Sequence, residues 1–150
     1  MFKGQALHFL KKQASRLKVK GLSFMENIHK WAMMVRHIES DNNPKASAGT
    51  TSAKGVYQFT DASVHTAKQR MWNMGFEAEY LREIDNNPHE WTDEHADSMF
   101  LANMFAQRGS DALLKKIGKG DVDAMKTAYY KFHHTDPDEA TKKRVDNIII

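Results

Sequence analysis

The sequence predicts a mainly α-helical protein, and three observations carry that prediction. Apolar residues recur at i, i+3, i+4 and i+7 in most of the chain, Gly, Pro and Asx-rich turns punctuate those segments, and the one long apolar-poor stretch is short enough to be a loop. At 150 residues, with 41% hydrophobic and 27% charged residues, the chain has the size and composition to bury one core without staples. It contains no cysteine, so disulfides, thiolate catalysis and Cys-ligated zinc are excluded. No apolar run approaches the roughly 18 residues of a membrane span.

Residues 1–20 are set apart by charge. Lys3, Lys11, Lys12, Arg16, Lys18 and Lys20 have no acid among them, so with a total of +3 the remainder of the chain is net acidic. Phe2, Leu7, Leu10, Ala14 and Leu17 fall at helical spacing between these cations, which predicts a basic amphipathic helix. Such a helix suits an anionic membrane or wall polymer; the plainer alternative packs it on the main domain, residues 21–150, with its lysines solvated. The segment lacks the 7 to 15-residue apolar core of a Sec signal peptide, so a different export route is expected.

The next elements follow in order. Gly21 breaks the pattern, and Ser23 with Glu26 reads as a capping box for a helix that buries Ile28, Trp31, Ala32, Val35 and Ile38, runs into Glu39 and ends by Pro44. Residues 45–55, "KASAGTTSAKG", read as a loop or a small β-like tongue beside that acid. Thr60 caps a helix carrying Val64, Ala67, Met71 and Trp72, closed at Gly75. Residues 77–84 form a short helix, and "DNNP" at 85–88 repeats the stop chemistry of 41–44 without being a repeat. Trp91 and Thr92 open a helix through Met104, Ser110 to Gly118 forms another, and Asp121 caps one ending at Phe132. Asp136, Pro137 and Glu139 supply N-cap, N1 and N3 of the last, giving about seven helices and one irregular tongue.

Glu39 is the residue with chemical potential. It sits where the helix macrodipole is negative and beside Ile38, and both effects raise a carboxyl pKa, as a general acid near neutral pH requires. A solvated carboxylate at a helix end is the commoner meaning of such a residue. The surrounding stretch, "ESDNNPKASAGTTSAKGVYQF", resembles the signature of the lytic transglycosylases, which share the lysozyme-like fold. The resemblance rests on Glu39, Ser40, Asn43, Pro44, Ala46, Gly55 and Gln58, and is extended by Ala128 and Tyr129, although Tyr130 stands where that family has Asn.

The resemblance implies a lysozyme-like helical domain that cleaves peptidoglycan between N-acetylmuramic acid and N-acetylglucosamine. Glu39 would protonate the glycosidic oxygen and then take the proton of the sugar's own 6-hydroxyl, closing a 1,6-anhydro ring, so neither a cofactor nor a paired carboxylate is expected. It implies Ser40, Gln58, Tyr129 and Gly55 as substrate-binding or positioning residues. Each has a plainer reading: Ser40 as a helix-end backbone cap, Gln58 as a backbone-paired amide, Gly55 as a turn glycine, and Tyr129 as part of an aromatic packing face with Tyr130 and Phe132. A hydrolytic lysozyme would need a second carboxylate, for which Asp41 and Asp61 are the nearby candidates. The small, cysteine-free chain resembles a phage wall-degrading protein, an endolysin or a virion-borne enzyme, acting as a monomer on the bacterial wall in the periplasm. A non-catalytic wall-binding or structural virion component is the alternative of another class. Specific nucleic-acid binding is not expected. "HEWTDEH" lacks the zinc-protease spacing and reads as a solvated helix start, and "HHTD" at 133–136 as a helix end followed by a cap, so no metal ligands are assigned.

Overall fold

Ten consecutive residues, Ala96 to Phe105, are buried in one helix, which makes it the axis on which the others pack. The computed structural model describes residues 1–149. Among them the chain forms α1 (Gly4–Leu17), α2 (Gly21–Ser40), α3 (Asp61–Asn73), α4 (Ala78–Glu83), a 3-10 turn (Pro88–Glu90), α5 (Asp93–Phe105), α6 (Ser110–Gly118), α7 (Val122–Phe132) and α8 (Glu139–Ile148). The buried helix is α5; α1 and α3 lie along it, while α2 packs on α6 and α6 on α7. The protein is thus mainly helical, and no helix among the described residues is long and apolar enough to cross a membrane.

The basic helix α1 belongs to this core. Phe2, Ala6, Phe9, Leu10, Ala14 and Leu17 are buried, and Phe9 stacks on Phe76 with ring centroids 5.1 Å apart. Arg16 closes the other side with a two-pronged bond to Asp111 at 2.8 and 2.9 Å. The lysines of the segment point to solvent. Near the end of the chain Ile149 is fully buried and Ile148 packs half-buried against the core, while Asn147 is exposed and Ile150 lies outside the described residues.

Several local expectations are corrected. Helix α2 starts at Gly21 with Lys20 as an N-cap that makes no side-chain bond, so Ser23 lies within the first turn and the Ser23–Glu26 capping box does not form. The same helix stops at Ser40, before Pro44 acts, because Asp41 and Asn42 both turn left-handed (φ 52° and 61°) and return their N–H groups to His37 and Arg36. On α3 the Thr60 cap forms, completed by Ser63, but Trp72 is exposed instead of lying on the apolar face. For α8 the cap is Asp138, which accepts the Thr141 N–H at 2.8 Å, in place of Asp136.

Residues 41–60 form no strand. Two isolated bridges, Ser47 to Lys54 and Lys54 to Phe59, and the Gly55 N–H to Ala46 carbonyl bond of 2.9 Å hold them as an irregular loop. A buried polar cluster fixes that loop to the core: Tyr57 Oη donates to Asp97 at 2.6 Å, and Arg36 reaches Asp97 at 3.2 Å, Asp93 at 2.5 Å and Asn42 at 2.7 Å. The Tyr57 ring stacks on Phe100 of α5, centroids 4.4 Å apart.

Candidate functional site

The C-terminal end of α2, the C-terminal end of α7 and the loop 46–60 meet at one place, and each has a local reason to end there. The left-handed stop after Ser40 leaves Glu39 in the last turn of α2. Helix α7 ends as the His133 and His134 N–H groups both fold back to the Tyr129 carbonyl, at 3.0 and 2.9 Å, which places both imidazoles beside Glu39. The result is a groove of about 420 Å³ whose walls include Glu39, Gln58, His133, His134, Asp138 and Arg144.

Glu39 is held by one oxygen. Tyr129 donates its hydroxyl to Oε1, and His134 Nδ1 lies 3.2 Å from the same atom and 3.1 Å from the Tyr129 oxygen. Oε2 has no partner among the described residues, yet it is not sealed: the fully buried side-chain polar atom without a partner among them is Ser110 Oγ. With its side chain only 9% exposed, Glu39 therefore presents a single free oxygen to the groove.

The electrostatics reverse the sequence expectation. Burial pushes the Glu39 carboxyl up, but the hydrogen bond from His134, the charge of His133 and the hydroxyl of Tyr129 together outweigh it and hold the group below the usual carboxylate range. The expected upward shift took account of the helix dipole and Ile38 but not of donors arriving from a distant helix. Conversely the hydrogen bond to Glu39 lifts His134 above the usual imidazole range, against its burial. The proton that the pair holds therefore sits on His134, with Glu39 as the anion. Burial keeps His133 low, and its Nε2, 2.8 Å from the Tyr57 carbonyl, must carry the hydrogen because a carbonyl only accepts. Burial beside the Glu39 charge also raises Tyr129 far above its ordinary range, so its hydroxyl stays a donor.

The other anticipated residues divide. Gln58 reaches the groove, but its Nε2 is committed to the Ala46 and Gly55 carbonyls at 3.1 and 2.9 Å, leaving Oε1 as a free acceptor. Its backbone is left-handed, φ 53°, a conformation non-glycine residues seldom adopt. Ser40 turns away: its hydroxyl lies 2.8 Å from the Val56 carbonyl and 3.0 Å from that of Arg36, tying the loop to α2. Gly55, at φ 82°, does not line the groove, and a Cβ there would meet Pro88 at 3.0 Å, so its role is loop packing. Tyr129 is fully buried and acts through Glu39. Tyr130 packs edge-on against it, centroids 5.4 Å apart.

Four residues of the site escaped sequence reasoning: His133, His134, Asp138 and Arg144. The available signal was the "HH" pair directly after the helix carrying Tyr129, which reads as a plain helix end when its neighbour in space is unknown. In "HEWTDEH" His89 is not simply solvated: its Nε2 lies 3.0 Å from both the Ala46 carbonyl and Ser47 Oγ and braces the loop. Neither hydrolytic candidate joins Glu39: Asp41 is exposed and faces Arg144 at 3.4 Å, and Asp61 is exposed at the start of α3. Among the described residues no cluster of His, Asp and Glu has the form of a metal site. Compared with known proteins, the chain matches no family model, no curated protein and no solved structure.

Proposed function

We propose that this protein is a lysozyme-like lytic transglycosylase that cleaves the β-1,4 bond between N-acetylmuramic acid and N-acetylglucosamine in bacterial peptidoglycan. The observation that carries the reading is the single free oxygen of Glu39, fixed by Tyr129 and His134 at the wall of a polar groove. The order Glu39-Ser40, Asn43-Pro44, Gly55, Gln58 that resembles the transglycosylases supports it independently.

The chemistry follows from the pair. In the resting state Glu39 is an anion and His134 a cation. When a glycan strand displaces water from the groove, the charged pair loses solvation and the neutral arrangement gains: His134 gives its Nε2 proton to the departing water, Oε2 of Glu39 takes one proton from that water, and Nδ1–H still donates to Oε1. Oε2 passes its proton to the glycosidic oxygen, the C1–O bond breaks, and the substrate's N-acetyl group stabilises the cation. The carboxylate then accepts the proton of the 6-hydroxyl as that oxygen attacks C1 and closes the 1,6-anhydro ring. The substrate supplies the nucleophile, so the reaction calls for neither metal nor cofactor. Gln58 Oε1 is placed to accept a sugar amide N–H. The enzyme acts as a monomer on the wall, as a phage lysis or virion-entry protein.

One observation favours a second reading, a hydrolytic lysozyme: Asp138 lines the same groove. Its carboxylate is committed as the cap of α8, and the Thr141 N–H bond holds it below the usual range, which makes it a weak base for activating water. Digestion of purified peptidoglycan by the wild type beside Glu39→Gln, read by mass spectrometry, decides. Anhydromuramic ends that vanish in the variant are expected. Reducing ends dependent on Glu39 would establish hydrolysis, and no cleavage by either protein, with wall binding retained, would make this a non-catalytic wall component.

A further inference from the structure

At the opposite end of α2 from Glu39, a second cleft, of about 600 Å³, lies between the α1–α2 turn and the C-terminal turn of α6. Four lysines line it, Lys18 and Lys20 from the turn and Lys115 and Lys119 from α6, and no acidic residue does. None of the four has a salt bridge or a side-chain hydrogen bond among the described residues, whereas Arg16, two residues before Lys18, is paired with Asp111. Asp111, one turn before Lys115 on α6, feels that lysine's charge but is itself held by Arg16, so the four cations, from segments about 100 residues apart, gather at one cleft with little compensating charge, which an anion would supply.

The two walls are rigidly joined. Asn27 Nδ2 donates to the Gly118 carbonyl at 2.8 Å, and a Cβ on Gly118 would overlap the Phe24 ring, so α6 touches α2 with no space between. Lys18 is itself fixed in the left-handed conformation that ends α1. The first turn of α2 holds no acid and no side-chain cap, so the chain provides no negative group there.

We propose that this cleft binds the phosphodiester groups of an anionic wall polymer of the poly(glycerol phosphate) type, anchoring the enzyme while Glu39 works about 28 Å away along α2. The choice of a wall polymer rests on the proposed wall-cleaving function; the phosphate chemistry rests on the lysines alone. A bilayer fits less well, because the cleft is concave and Leu22 is the single large exposed apolar side chain of the adjoining turn. Nucleic acid fits less well because the one aromatic ring at the cleft, Phe24, is buried and offers no face for base stacking.

Titration calorimetry of the full chain with soluble poly(glycerol phosphate) tests this. Binding that weakens about tenfold or more between about 50 and 200 mM salt is expected. It should fall a further tenfold or so in Lys20→Gln/Lys115→Gln, while Lys3→Gln/Lys11→Gln, which removes equal charge elsewhere, changes it little; circular dichroism confirms that each variant is folded. Equal losses in both double variants would mean diffuse attraction and overturn the site. Tighter binding to anionic phospholipid vesicles or to single-stranded DNA than to the polymer would overturn the assigned occupant. Because Glu39→Gln should bind the polymer like the wild type, failure of the anchor and failure of the cleavage reading are seen separately.

Discussion

The Tyr129 hydroxyl on α7 donates to Oε1 of Glu39 on α2, two residues 90 positions apart whose helices both end at the same groove. Tyr129 is fully buried and kept protonated by burial next to the carboxylate, so it is a permanent donor that fixes which oxygen of Glu39 is free. A hydrogen bond to a charged group contributes about 1.5–3 kcal/mol. Tyr129→Phe should therefore fold, lower kcat about tenfold to a hundredfold on peptidoglycan, and leave KM nearly unchanged, since no part of Tyr129 lines the groove. A variant with wild-type kcat would show that the bond does not orient the acid.

Removing His134 takes away the strongest of the influences that lower Glu39, while burial, which raises it, remains. In the wild type the proton that the pair delivers rests on His134 and is lost as pH rises through its raised value; in His134→Asn Glu39 must hold that proton alone, so the alkaline limb of kcat/KM should move downward, and a limb that stays in place contradicts the pairing. The same pair makes stability depend on pH. Glu39, depressed in the folded state, contributes stability above its unfolded value of about 4.3, lost as pH falls through its folded value. His134, raised when folded, contributes below about 6.5, and this is lost as pH rises through its folded value. The melting-temperature difference between wild type and His134→Asn should thus be largest between about pH 4.5 and 6.5 and shrink on either side. His133, lowered chiefly by burial, acts with the opposite sign in both proteins; the charge of His134 is a minor cause of that lowering, so most of its effect cancels in the difference.

What the sequence makes legible here is local. Thr60 and Asp121 are recognisable as caps because a side-chain oxygen three residues before an N–H is enough to form the bond, and both bonds are present. The stripe of Ile28, Trp31, Ala32, Val35 and Ile38 announces its buried face for the same reason. Asp136 fails as a cap because an equally good one, Asp138, lies two residues on, and Ser23 fails because the N-cap of α2 falls three residues earlier, at Lys20, which makes no side-chain bond. The site is legible at Glu39, Gln58 and, through the resemblance, Tyr129. His133, His134 and Arg144 acquire their roles when α7 and α8 fold back on α2, and nothing at their own positions states that. The direction of the Glu39 shift is illegible on the same ground: the helix end and Ile38 are visible in its own segment, whereas the groups that lower it come from 90 or more residues away.

Asp97 joins the loop to the core, and its loss should be felt as stability. It accepts from the Tyr57 hydroxyl and from Arg36, whose side chain is 6% exposed against 9% for Asp97. Asp97→Ala leaves a buried guanidinium with only the exposed Asp93 as counter-charge, and a buried hydroxyl with no acceptor. The cost of breaking such a pair is about 3–5 kcal/mol. Urea unfolding should give a loss in that range, with Asp97→Asn, which still accepts from Tyr57, losing less. A loss under about 1 kcal/mol would mean that water or Asp93 replaces the contact.

Gln58 combines two properties that a pair of substitutions separates. Its backbone is left-handed, which costs a side-chain-bearing residue about 1–2 kcal/mol relative to glycine, and its side chain both ties the loop and presents Oε1 to the groove. Gln58→Ala keeps the backbone cost and loses the ties; Gln58→Gly loses the ties but removes the cost. The Gly variant should therefore be the more stable of the two by about 1 kcal/mol, measured by urea unfolding, although glycine's greater freedom in the unfolded chain offsets part of the gain. If Oε1 accepts from the substrate, both should show KM raised about tenfold, because the acceptor is absent from each whatever the backbone does. A raised KM in Ala alone would trace the effect to a displaced loop and remove Gln58 from the substrate contacts, whereas equal elevation in both would place the amide oxygen on the glycan.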